Sequence, residues 1–430
     1  MQIESFLRKV TAFIRSKEAQ VHVYDELKHH IEHSKNAWMK KGYTPEEAER
    51  KAIKEMGSPS EIGKSMDKIH RPKVDWLLIG LVAILLGASF IPIVTFDSTI
   101  IFGTDMTDYF IRNKWLHFVC AVILIAALMY IDYRKLERFS MAIYFGALIL
   151  LMMLNYFPAA MVHGQSYLMV GPLQIQAWTV LPLLIIAWAG FLTQRKLKIW
   201  QLSVLFVLPL WLILRAPSLI VALIYAGVVT VLFFVSSYSA KTKIVTSLAV
   251  SGFVAGSMFL IIPRLHEYQL VRLYAFLDPA SYATTEGYVY LAVKNALNEA
   301  GWFGAETIRY IPEGHTDFAL VLLIQKFGHI SGIIIVTVLF AIAVRILWKA
   351  KQLARSYGKM LVIGAVSFYC MQFGYSIAMI LGWLPIIGLS LPFISYGFTS
   401  LLLNSFVIGI ALSVYRRKTF TRYGVKRNYS

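Results

Sequence analysis

The chain has 430 residues, of which 57% are hydrophobic and only 15% charged, where soluble proteins carry roughly 25% charged residues. That length has room for two or three soluble domains, but the composition and a mean hydropathy of +0.61 exclude them. The net charge of +18 would suit a nucleic-acid binder in a soluble chain, yet here Lys and Arg cluster in short connections between apolar runs. In that position they orient a protein in a bilayer, so membrane lipids are the expected surroundings and nucleic acid is not an expected partner.

Residues 1–72 read as a soluble prefix. Charges interrupt the first twenty residues before any apolar core develops, so they are not a signal peptide. Ile3, Phe6, Leu7, Val10, Phe13 and Ile14 recur at helical spacing. Thr44-Pro45-Glu46-Glu47 is a helix start, with Thr44 as N-cap, Pro45 at the first helical position and Glu47 completing a capping box. The helix stops at Gly57, and Ser58-Pro59-Ser60-Glu61 repeats the start signal. Three short helices are expected. The string GYTPEEAERKAIKEMGSPSEI resembles the HAAS, or permease-prefix, helical domains of bacterial membrane proteins. That resemblance implies docking or regulation, the alternative being an inert solvated cap.

From Val74 onward the chain reads as all-α and polytopic, with about ten transmembrane helices near 74–95, 116–132, 138–157, 175–193, 199–215, 218–236, 243–262, 317–347, 359–383 and 396–415. The run at 317–347 exceeds a bilayer's need and is expected to tilt or to extend beyond the lipid. Basic connections at 133–138, 195–198, 241–243 and 345–359, and the basic tail 418–430, fall on alternate sides. The positive-inside rule therefore puts both termini in the cytoplasm, with 73–417 as the membrane domain. Cys120 and Cys370 lie inside apolar runs without metal or redox spacing, and no metal ligand set is read. His117 and His163 stand near helix ends and read as interfacial. Gln325, Lys326 and Gln372 are polar groups inside spans, which marks them as functional by default.

One outward connection, 263–316, is far longer than usual and carries most of the outer charge. Tyr288, Leu291, Ala292, Asn295 and Ala296 stand at helical spacing in it, so it is expected to be ordered. Two strings here and beyond are specific. The first is Arg272-Leu-Tyr-Ala-Phe-Leu-Asp278-Pro279, then Gly287-Tyr288, then Ile311-Pro312-Glu313-Gly314-His315-Thr316-Asp317-Phe318. The second is Gly388-Leu-Ser-Leu-Pro392-Phe393-Ile394-Ser395-Tyr396-Gly397-Phe398-Thr399-Ser400. Both resemble signatures of the SEDS family (shape, elongation, division and sporulation), whose members include FtsW, RodA and SpoVE.

The resemblance covers about 74–417 and implies ten helices, cytoplasmic ends and a large loop before the eighth helix. It also implies peptidoglycan synthesis: polymerisation of lipid II, an undecaprenyl-linked precursor, by a glycosyltransferase partnered with a class B penicillin-binding protein. A divalent cation, Mg or Mn, is expected if the chain is active. The chemistry needs a carboxylate near the acceptor hydroxyl and cations for the pyrophosphate leaving group.

This chain departs from the family there. Tyr282 stands where the family has its catalytic Asp, and a phenol is a poor base at neutral pH. The family's QPSExxK resembles Gln176-Ala177-Trp178-Thr179-Val180-Leu181-Pro182, without its Glu and Lys, and its PDxGT resembles Pro217-Ser218-Leu219-Ile220-Val221. Glu286, four residues past Tyr282, is the expected substitute carboxylate, with Asp278 as a further candidate. Arg272, Tyr288, Glu313, His315, Asp317, Lys326, Ser395 and Tyr396 are the expected substrate-binding residues. Two alternatives stand beside the enzyme: a catalytically inactive regulator or scaffold that binds the lipid carrier or division partners, and a lipid flippase or transporter.

Overall fold

The computed structural model describes residues 2–15, 17–70, 74–96, 99, 103–162, 165–170, 173–194, 196–216, 218–261, 267–353 and 356–417. The chain divides into two units, Met1–Val74 with the end of the chain from Tyr415, and Asp75–Val414.

The first unit holds α1 (Gln2–Thr11), α2 (Lys17–Lys40), α3 (Pro45–Met56) and α4 (Pro59–His70). Four helices form where the sequence reads as three. The extra one, α2, carries Ala19, Val23, Leu27 and Ile31 at one apolar residue per turn, too narrow a stripe to stand out among its charges. These residues close on Phe6, Leu7, Val10 and Ile14 to make a separate core. The capping box of α3 is present: Glu47 N–H donates to Thr44 Oγ1 at 3.4 Å and Thr44 N–H to Glu47 Oε2 at 3.1 Å. Trp38 of α2 donates its indole N–H to Glu55 of α3 at 3.0 Å, while the Lys41 and Lys51 ammoniums lie 4.4 and 4.6 Å from its ring centre.

The second unit is a polytopic helical membrane bundle. Its first apolar run is broken near Phe90 into α5 (Trp76–Ala88) and α6 (Ile91–Thr95). Next come α7 (Thr107–Tyr130), the short α8 (Arg134–Arg138) and α9 (Ser140–Tyr156). After a small sheet the bundle continues through α10 (Ala177–Gln194), α11 (Ile199–Arg215), α12 (Leu219–Val235) and α13 (Ala240–Ile261). The long connection forms α14 (Glu267–Leu277) and α15 (Tyr288–Glu299), the latter on the apolar spacing that began at Tyr288. The last helices are α16 (Ala319–Phe327), α17 (His329–Lys351), α18 (Tyr357–Ile380) and α19 (Phe398–Arg416).

Helix α10 is buried on nearly every side and packs against α9, α12 and α18. Gly190 makes its contact with α9 possible, because a Cβ there would collide with the Ser140 hydroxyl. Helix α7 is the opposite case. Trp115, Leu116, Val119 and Ile123 on its outer face are exposed, as lipid-facing residues of a membrane helix must be.

Two features depart from expectation. The apolar run at 317–347 is not one tilted helix; it breaks at Gly328 into α16 and α17. Gly328 has φ 80°, and a Cβ at this position would collide with the Trp302 carbonyl, so the chain can turn there only on glycine. The uncharged connection between α9 and α10 forms a three-stranded antiparallel sheet, β1 (Ala160–Val162), β2 (Gln165–Val170) and β3 (Leu173–Ile175), in the order β1-β2-β3. Ala160 pairs with Tyr167, and Leu168 with Ile175. His163 lies outside the described residues.

Candidate functional site

The string Ile311–Phe318 folds into a tight turn centred on Glu313, whose φ is 53°. Thr316 and Phe318 both donate their N–H to the Glu313 carbonyl at 3.1 Å, and the Thr316 hydroxyl donates to Glu313 Oε2 at 2.6 Å. The turn presents the His315 carbonyl to Tyr396, whose N–H donates to it at 2.8 Å. That bond joins the two family strings, which are some eighty residues apart in sequence. The His315 ring packs 4.2 Å from Phe96 and 5.3 Å from Phe110, and burial holds its imidazole below the ordinary value against the pull of Glu313.

Asp317 follows on the same turn. A Cβ on Gly388 would stand 3.6 Å from its Oδ2, which places the carboxyl against the start of the second string. Burial, and then the negative charge of Glu313, push this carboxyl up to about 7. Burial and then Asp317 in turn raise the Tyr167 phenol of β2, so the sheet lies within reach of the same charge.

The connection between α18 and α19, residues 381–397, holds most of the second string and runs without helix. Irregular backbone of this kind is tolerated at membrane depth only if its polar groups are satisfied within the protein. Side chains of α18 supply much of that. Gln372 donates to the Ser390 carbonyl at 2.9 Å, Ser376 to Leu389 at 3.2 Å and Tyr375 to Pro385 at 3.0 Å. From α15, Tyr290 accepts the Ile386 N–H at 2.8 Å. Phe393, with φ 65°, is held in the left-handed region while fully buried, a strained position of the kind that collects at functional sites.

Helix α7 completes the site with residues that reading the sequence missed. Lys114 is fully buried and donates to the Ser395 carbonyl at 3.0 Å. Asn113 stands beside the Tyr396 hydroxyl. His117, read as interfacial, stacks on Phe398 with 4.9 Å between ring centres and lies 5.5 Å from Tyr396. A span starting at residue 116 leaves Lys114 out of the helix; the helix starts at Thr107 and carries Lys114 two turns along it. The available signal was a charged residue abutting an apolar run.

The remaining nominated residues are distributed differently. Asp278 is exposed and tied into its own turn, accepting from the Ser281 hydroxyl at 2.6 Å, which holds its carboxyl below the usual range. Tyr282 is half-buried, and its carbonyl accepts the Thr285 and Gly287 N–H groups at 3.0 and 2.9 Å. Glu286 is exposed on that turn, and Tyr288 opens α15, also exposed. Lys326 is exposed in the last turn of α16, where it suits the negative end of the helix, while Gln325 beside it is buried. Arg272 lies in α14, its side chain outside the described residues. The site thus brings together Glu313, His315, Asp317, Ser395 and Tyr396 with Asn113, Lys114 and His117. Among the described residues no three His, Cys, Asp or Glu side chains converge into an all-protein metal cage; a Mg ion here would be held by one or two carboxylates together with substrate phosphates.

Residues 74–420 match the cell cycle protein family FtsW/RodA/SpoVE. Among similar proteins, a probable peptidoglycan glycosyltransferase FtsW of Trichlorobacter lovleyi is 28% identical over 358 residues, covering 79% of this chain and 92% of the relative. Stage V sporulation protein E of Bacillus subtilis is 27% identical over 343 residues, covering 74% and 89%. Among solved structures, a chain of a peptidoglycan synthase complex that coordinates polymerization and crosslinking superposes with a TM-score of 0.65 at 22% identity, over 80% of this chain and 98% of that one. The rod shape determining protein RodA of Thermus thermophilus superposes with a TM-score of 0.57 at 20% identity, over 80% and 97%. With its two signature strings bonded to each other inside a shared helical architecture, this chain belongs to the FtsW/RodA/SpoVE family of SEDS membrane proteins.

Proposed function

We propose that this chain serves peptidoglycan assembly at the outer face of the bacterial membrane, with both termini cytoplasmic, as a glycosyltransferase acting on lipid II. The observation that carries the reading is the bond from Tyr396 N–H to the His315 carbonyl, which joins the two strings, with Asp317 set against Gly388 at the start of the second. In the transfer the acceptor sugar hydroxyl loses its proton to a carboxylate as its oxygen bonds the donor sugar, and the pyrophosphate carrier departs. Asp317, held near neutrality and half-buried, suits a proton acceptor; Glu286 is the second candidate. No step is routed through a divalent cation. The glycosyltransferase names of similar proteins support the reading, and the likeness to a complex coordinating polymerization with crosslinking supports a crosslinking partner, for which a class B penicillin-binding protein is our proposal.

Tyr282 favours a second reading, in which the chain binds the carrier lipid without catalysis and regulates its partners. Gel-resolved polymerisation of labelled lipid II by the purified protein, with and without the penicillin-binding partner, separates the two. Glycan ladders lost on Asp317→Asn or Glu286→Gln identify an enzyme with a displaced carboxylate. No ladder where an active family member makes one leaves the regulator.

A further inference from the structure

Lys114 is the least comfortable residue in the bundle. It is a cation with no exposed surface, two turns into a membrane helix, and among the described residues its one bond is to the neutral carbonyl of Ser395. Among the described residues no carboxylate pairs with it; the charge that bears on Asp317 is that of Glu313, not this ammonium. A charge at such depth is costly unless something of opposite sign completes its surroundings.

The surroundings are prepared for that. Ser395 is 3% exposed and its hydroxyl is buried with no hydrogen-bond partner among the described residues. His117 and His315 each bury an Nδ1 that likewise has no partner among the described residues. Both rings lie within 6 Å of Tyr396, at 5.5 and 5.8 Å, and Tyr396 follows Ser395 directly. One ammonium, one hydroxyl and two imidazoles therefore share one small region with bonding capacity unspent. All four can donate, which is the chemistry that receives oxyanions and turns cations away. The lipid-facing side of α7 carries only apolar groups at Trp115, Leu116 and Val119, so an anion reaching Lys114 is best carried on a hydrophobic chain.

We propose that Lys114, Ser395, His117 and His315 form a binding site for a lipid-borne phosphate, with Lys114 as its anchor. The choice of a polyprenyl phosphate over a phospholipid headgroup rests on the functional reading above; the site itself rests on the unpaired ammonium and the unspent donors. Lys114 stands on an element that bears neither family string, and it supplies a cation that the residues at 176–182 do not.

The test uses the full-length protein in nanodiscs of zwitterionic lipid, with native mass spectrometry of bound undecaprenyl pyrophosphate. Lys114→Met should weaken binding by about tenfold or more, Lys114→Arg should restore it to within about threefold, and Ser395→Ala, which keeps the carbonyl, should cost about threefold. Without lipid, Lys114→Met should melt no lower than the wild type, because it removes a buried uncompensated charge. Unchanged lipid binding in Lys114→Met overturns the proposal. So does a lowered melting temperature with binding intact, the mark of a mere strut to Ser395. If Lys114→Met does not fold, Ser395→Ala and His117→Phe carry the test, and full binding in both overturns it. Competition by phosphatidylglycerol would assign the phosphate to a bulk headgroup, and competition by inorganic pyrophosphate to the phosphate alone; both retain the site. Missing glycan ladders with Lys114-dependent binding intact would sink the enzyme reading and leave this one standing.

Discussion

At the scale of single residues, the site is set by what each polar group lacks as much as by what it holds. Asp317 keeps its proton to about 7 in the folded protein, against an ordinary 3.8. Through that window the folded state binds a proton that the unfolded state releases, so stability falls as pH rises from about 4 to about 7 and is level above it. Unfolding midpoints in detergent across this range should show the decline, and Asp317→Asn should flatten it; an equal slope in the variant would mean that another group is responsible. Asp317, His315, Ser395 and Tyr396 were legible in the sequence because they sit in recognisable strings. Lys114, Asn113 and His117 were not, since nothing in a linear reading shows that residue 114 meets residue 395.

At the scale of elements, the decisive features are interruptions of helices. Gly328 combines a left-handed φ with a backbone neighbour where a side chain would go, whereas Gly382, with φ 74°, faces open space. Gly382→Ala should therefore cost only backbone strain, about 1 kcal/mol, while Gly328→Ala should cost more than about 2 kcal/mol because α16 and the Trp302 turn must part. Equal losses in thermal unfolding would refute the steric part of the argument. Apolar runs in the sequence located the spans well but hid the break, since Phe327-Gly328-His329 interrupts hydrophobicity for too short a stretch. The sheet at 160–175 was hidden differently: its strands of three and six residues are too short for alternation to register. In the first unit α2 was overlooked for want of a broad apolar face, although its neighbours α3 and α4 announced themselves through Pro and capping residues.

At the scale of the whole molecule, contacts distant in sequence close the bundle. Asp75 caps α5 and accepts a bidentate Arg345 of α17 at 2.9 and 3.0 Å, almost without exposure. Asp75→Ala should destabilise the protein by about 3 kcal/mol through the stranded guanidinium, and Asp75→Leu with Arg345→Met should recover most of the loss. A double variant as unstable as the single one would show that the pair matters for more than its charges. The bond from Lys114 to Ser395 spans 281 residues, and that from Ser413 to Ile131 spans 282. At roughly 5–20 residues per second, synthesis leaves Lys114 waiting tens of seconds for its partner. Until then the ammonium, about 10 Å along α7 from its first residue, has no Ser395 carbonyl to meet. Pulse-labelled chains truncated near residue 390 should accordingly turn over faster than the same chains carrying Lys114→Leu. The bond from Lys114 to Ser395 is therefore among the last of the fold to close, because one partner lies in the second membrane helix and the other in the connection before α19.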